Sequence, residues 1–144
     1  MNALRRLALL CFFVAALSPA RAATLDPAAA KAVTSSLVGS WTVDLRPTPD
    51  AAPYLKKLVI TAVEGSRLEG HFYDGSPLQA GRVNTTAGPT PCFAFFTDPG
   101  EGAYQTAVRQ VSNDHLEGMT LATTRGFLLP WTAVRDRPAD SASR

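Results

Sequence analysis

The sequence predicts an all-β protein: an eight-stranded antiparallel up-and-down β-barrel with a short N-terminal helix. Three observations carry that expectation. Eight short runs between Leu37 and Arg135 alternate apolar with polar residues, the period-2 pattern of strands that bury one face. Most are joined by tight turns of Gly, Pro, Asp, Asn and Ser, which makes a meander. An open meander of this length would leave two exposed edges with no helices to cover them, and closing the last strand onto the first removes both. A two-sheet sandwich is the runner-up arrangement for such strands.

Residues 1–22 read as a signal peptide. Arg5 and Arg6 form a positive start, Leu7 to Leu17 is an unbroken apolar run, and Ala20-Arg21-Ala22 is a small-x-small cleavage site. The run is too short to span a bilayer, and no later stretch approaches the roughly 20 apolar residues a membrane helix needs. A soluble chain exported to the periplasm or secreted is therefore expected. Residues 23–35 form an N-terminal segment in which Asp26 caps a short helix, Pro27 takes its first position and Ala28 to Ala32 propagate it. The barrel occupies 36–136, and 137–144 is a flexible tail.

The strands follow in order. Leu37 to Arg46 places Leu37, Gly39, Trp41, Val43 and Leu45 on one face, and the Pro-rich stretch Pro47 to Pro53 then forces a long loop. Lys56 to Val63 presents Leu58 and Ile60, and the turn Glu64-Gly65-Ser66 leads to Arg67 to Tyr73, which presents Leu68, Gly70 and Phe72. A weaker strand, Leu78 to Thr85, follows the turn at Asp74 to Pro77. Cys92 to Thr97, Ala103 to Val111, His115 to Thr123 and Phe127 to Arg135 complete the set. With an even number of strands, the first and last run antiparallel, so Arg135 should stand beside Trp41 at one end of the barrel. Gly39, Gly70, Gly81 and Gly118 fit the bends of so narrow a barrel.

Gly39-Ser40-Trp41 on the first strand, with Arg135 on the last, resembles the Gly-x-Trp and C-terminal Arg signature of the lipocalins. The opening Gly39-Ser40-Trp41, Leu58 to Ala62 and Leu68 to Phe72 is similar to that of avidin-type barrels. Both belong to the calycin group of eight-stranded barrels, and the resemblance covers about 36 to 136. It implies a barrel that holds a small molecule in its lumen. The polar residues by which avidin-type barrels hold biotin are replaced here by Val43, Phe72 and Pro47, which argues against biotin. The chain is also shorter than true lipocalins and lacks their usual disulfide.

Composition narrows the function. The signal peptide takes three of the 14 basic residues and none of the 12 acidic ones, leaving a net charge of −1. No basic stripe remains, which argues against a nucleic-acid partner. Cys11 departs with the signal, so Cys92 has no intramolecular partner and reads as a small buried apolar residue, with an intermolecular disulfide as the alternative. His71 and His115 fall on distant strands and read as solvent-facing, so no metal site is expected. Glu69 and Glu117 alternate outward as surface charges. No nucleophile motif or phosphate loop is present. The protein is therefore expected to be neither an enzyme nor a cofactor carrier.

What remains is binding. Trp41, Leu58, Ile60, Phe72, Phe95, Tyr104 and Trp131 fall on the face assigned to the lumen, where they either fill the core or line a cavity for a small hydrophobic molecule. Tyr104 is the telling residue, since a buried phenol wants a polar partner. The alternative function is an exported interaction module, such as a periplasmic hydrolase inhibitor, working through Pro47–Pro53, Thr86–Pro91 or the N-terminal segment. Either protein would be a monomer or a weak oligomer, without a membrane partner once the signal is removed.

Overall fold

The structure is a computed structural model that describes residues 32, 34–86, 90–100 and 102–137. The expected signal peptide, nearly all of the expected helix and most of the expected tail lie outside them. The strands are β1 (Gly39–Asp44), β2 (Leu55–Glu64), β3 (Arg67–Tyr73), β4 (Ser76–Pro77), β5 (Gln79–Asn84), β6 (Cys92–Thr97), β7 (Tyr104–Ser112), β8 (His115–Ala122) and β9 (Phe127–Arg135). They form one antiparallel sheet in the order β2-β1-β9-β8-β7-β6-β5-β3-β4, closed by the pairing of β2 with β3. The two-residue β4 and the longer β5 both lie against β3 and make a single stave. The molecule is thus an eight-stranded antiparallel barrel.

The parity of each run decides what is inside. In β6, Phe93, Phe95 and Thr97 are buried while the residues between them face solvent. This corrects the reading of Cys92 as buried: it is exposed, because the pleat that turns Phe93 inward turns its neighbour outward. The expected strand from Leu78 to Thr85 is also redrawn. Pairing with β3 begins earlier, at Ser76, because Tyr73 (φ 61°) and Gly75 (φ 91°) turn the chain back at once. A register shift between Gln79 and Arg82 then passes through Ala80 at φ 50°, the bent backbone of a bulge.

One end of the barrel is closed. Trp41 is fully buried, donates its indole N–H to the Leu37 carbonyl (3.1 Å), and stands opposite Arg135 in the β1–β9 register. The Arg135 guanidinium carbon lies 4.0 Å from the Trp41 ring centroid, a contact worth about 0.5–2 kcal/mol. Its nitrogens donate to the carbonyls of Val38 (3.0 Å), Asn113 (2.9 Å) and Ser36. One side chain thereby ties the segment entering the barrel, the β7–β8 turn and the last strand together. Gly39 is required here: its φ is +138°, and a Cβ would sit 2.8 Å from Arg135 Nη1.

A second clasp lies just past β9. Asp136 accepts from Ser40 Oγ (2.5 Å), Thr42 Oγ1 (2.6 Å) and Lys57 Nζ (2.6 Å), and its own N–H donates to the Ser40 carbonyl (2.8 Å). Burial alone would raise its pKa, but the bonds from Lys57, Ser40 and Thr42 outweigh that and hold the carboxyl down at about 2.

Candidate functional site

The other end is open. The β1–β2 loop, the β3–β4 turn, the β6–β7 loop and the β8–β9 turn ring a cavity of about 710 Å³, within the ordinary range for small-molecule sites. Its walls differ. Leu45, Phe72 and Leu129 give apolar surface, and Phe72 packs in turn against the rings of Phe95 (centroids 5.7 Å apart) and Trp131 (5.9 Å), which do not line the cavity themselves. On the side of β6, β7 and β8 the wall carries hydroxyls, those of Thr97 and Thr120. Both threonines take the inward parity of their strands and are almost fully buried.

The hydroxyls leave donors over. Trp131 Nε1 donates to Thr120 Oγ1 (2.9 Å), which is also paired with Thr106 Oγ1 (3.0 Å). This cluster holds three protons on nitrogen or oxygen and makes two hydrogen bonds, so one hydroxyl proton stays available. Thr97 stands on the same wall at 3% exposure, and the buried side-chain atom left without a partner among the described residues is Gln110 Nε2, far from this wall.

Two aromatic groups form the rim. On the β2–β3 side the hydroxyls of Tyr54 and Tyr73 are hydrogen-bonded, and Lys56 Nζ lies 4.3 Å from the Tyr73 ring centroid while pairing with Asp74 at 2.7 Å. The bond from Tyr54, with burial second, pushes the Tyr73 phenol up to about 12. Tyr73 is a bulky residue held at positive φ, a strained backbone that persists only where its neighbours fix it. On the opposite side Arg125 Nη1 donates to the Tyr104 hydroxyl (3.2 Å), and its guanidinium lies 5.5 Å from the ring centroid of Phe127.

Of the residues assigned to the lumen from sequence, Phe72 and Tyr104 line this cavity. Phe95 and Trp131 sit two residues nearer the closed end than Thr97 and Leu129 on their own strands. Trp41, Leu58 and Ile60 are packed into the core with exposures of 1% or less. The sequence reading passed over Leu45, Tyr54, Tyr73, Thr97, Thr120, Arg125, Phe127 and Leu129. Thr97 and Thr120 did carry a signal, as polar residues at inward parity in apolar runs. Arg125 carried none, since a turn arginine looks the same wherever the turn points.

A broader concavity of about 1440 Å³ opens mainly on the outside of the barrel, where Ala94, Ala107, Met119 and Pro130 face outward from neighbouring strands. It is shallow and encloses little. His71 and His115 stand apart on β3 and β8, Glu69 pairs with Arg67 (2.8 Å) and Glu117 with Arg109 (2.7 Å). Among the described residues no cluster of His, Cys, Asp or Glu could hold a metal ion.

Compared with models of protein families and with curated proteins, the sequence matches none of them.

Proposed function

We propose that this is an exported, lipocalin-like β-barrel of the calycin type that binds a small hydrophobic molecule at its open end. The mouth cavity carries the reading: one end of the barrel is plugged by Trp41 and Arg135, while the other keeps about 710 Å³ free beside Leu45, Phe72 and Leu129. A barrel used only as a rigid stand would gain stability by filling that space with side chains. The bound molecule lies across Phe72 and Leu129 and enters between the two tyrosine groups of the rim.

The test is native mass spectrometry of the mature protein purified from the compartment to which it is exported, with methyl parinarate, a neutral fluorescent apolar probe, added to the bare protein. A discrete added mass lost on denaturation, or saturable probe binding at one site per chain, is expected. A bare mass together with no probe binding sinks this reading and returns attention to the loops as a protein-binding surface.

A further inference from the structure

We infer that the outer face of β6 to β9 is the contact through which two copies of this chain form a dimer, whatever the mouth binds. Outward-facing residues on these four strands fall into rows, because partners in register share the same side of the pleat. Ala94, Ala107, Met119 and Pro130 make one row, and Phe96, Gln105, Leu121 and Leu128 make the next, two residues nearer the mouth. The first row is a trough: it lines the broad outer concavity, and Ala94 and Ala107 rise little above the backbone. The second row lies outside that concavity and is a ridge, with Phe96 41%, Leu121 38% and Leu128 57% exposed. Neither row holds a charge between β6 and β9. A continuous apolar patch of this kind marks an interaction surface.

A second copy fits because the face is complementary to itself. A two-fold axis in the contact plane, running between the two rows, lays the ridge of each copy into the trough of the other. Phe96 then meets the partner's Ala94, Gln105 the partner's Ala107, Leu121 the partner's Met119 and Leu128 the partner's Pro130. Such a contact is isologous and closes on itself. The charges beyond the rows agree with it. The same rotation carries Asp98, the next outward residue of this side after Phe96, to the partner's Cys92, which stands in register beside Arg109. Arg109 is exposed and pairs with Glu117 at 2.7 Å, and a guanidinium has donors for a second carboxylate. Four strands about 4.8 Å apart and four rows about 6.8 Å apart give a face of roughly 500 Å² per copy. The total of about 1,000 Å² is the lower bound of a specific interface, so the dimer is reversible and dissociates at about 10–100 µM.

The experiment is sedimentation velocity of the mature protein from about 1 to 300 µM, alongside Gln105→Lys and Ala107→Glu, both at exposed positions. The native protein should pass from monomer to dimer across that range. Each variant alone should dimerise about tenfold more weakly, because contact would bury an unpaired charge. An equimolar mixture of the two should regain the native affinity, since the introduced lysine then faces the introduced glutamate across the axis. Leu128→Ser, which trims the ridge without adding charge, should weaken the dimer severalfold and serves if either charge disturbs the fold. A chain that stays monomeric at about 300 µM overturns the inference, and cosedimentation of that monomer with phosphatidylcholine vesicles would assign the face to lipid. A dimer that none of the substitutions weakens, or one that the mixture fails to restore, overturns the ridge-in-trough contact.

Discussion

Gly118 and the indole of Trp131 share one volume. The two residues are partners in the β8–β9 register, and a Cβ on Gly118 would lie 2.2 Å from the Trp131 ring. Gly118→Ala should therefore destabilise the barrel by about 1–3 kcal/mol through overpacking. The check is urea unfolding followed by tryptophan fluorescence, and an unchanged midpoint would mean the ring has room to move. Gln110 makes the opposite case. It is buried near the closed end, accepts from Ser36 Oγ (3.1 Å), and leaves its Nε2 without a partner. Gln110→Met, which keeps the length and drops the amide, should be neutral or stabilising by up to about 1 kcal/mol in the same assay. A large loss would show that the amide holds something in solution. Residue by residue, alternation in the sequence was enough to turn Trp41, Phe72 and Phe95 inward. It could not show that Gly118 is small because a ring lies on it, since that partner is thirteen positions further along the chain.

At the scale of elements, the seam between β1 and β9 is closed by a carboxylate that lies outside every strand. Asp136 bonds to two hydroxyls of β1 and to a lysine of β2. Its folded pKa of about 2 lies below the unfolded value near 4. The sign follows: the ionised clasp stabilises the fold fully above about pH 4, and that stability is lost as pH falls from 4 toward 2. It should amount to about 1–2 kcal/mol after discounting for solvent access. Asp136→Asn should lower stability at pH 7 by about that much and flatten the loss between pH 4 and 2. Parallel acid limbs for the two proteins in denaturant titrations would show that the clasp does not form. Strand existence and boundaries were largely legible, because turns such as Glu64-Gly65-Ser66 and Ser112-Asn113-Asp114 punctuate the pattern. The clasp was not, since nothing in a polar residue after the last strand says that three donors from β1 and β2 converge on it. The β4–β5 stave was blurred for a related reason: a bulge at Ala80 breaks the alternation that the reading depends on.

For the whole molecule, closure is expected to be the slow step of folding. Trp41 pairs with Arg135, 94 positions later, and a fold completed by so distant a contact should refold in milliseconds to seconds and not in microseconds. Stopped-flow refolding by tryptophan fluorescence measures this, and a microsecond phase of full amplitude would show that the β1–β9 seam does not limit folding. The barrel as such was predictable from edge arithmetic alone. The Trp41–Arg135 pair at one end was legible too; that the other end keeps a cavity was not, because that depends on how far Tyr54, Tyr73 and Tyr104, which only fringe it, fill the mouth. This polarity has a consequence for change over evolutionary or laboratory time. The groups that lock the barrel shut cluster at the Trp41 end, and those that would choose a ligand sit on turns at the far end, where loops tolerate substitution. Altering Arg125, Tyr54 or Phe127 should leave the lock untouched, so the molecule can acquire new binding preferences without renegotiating its fold.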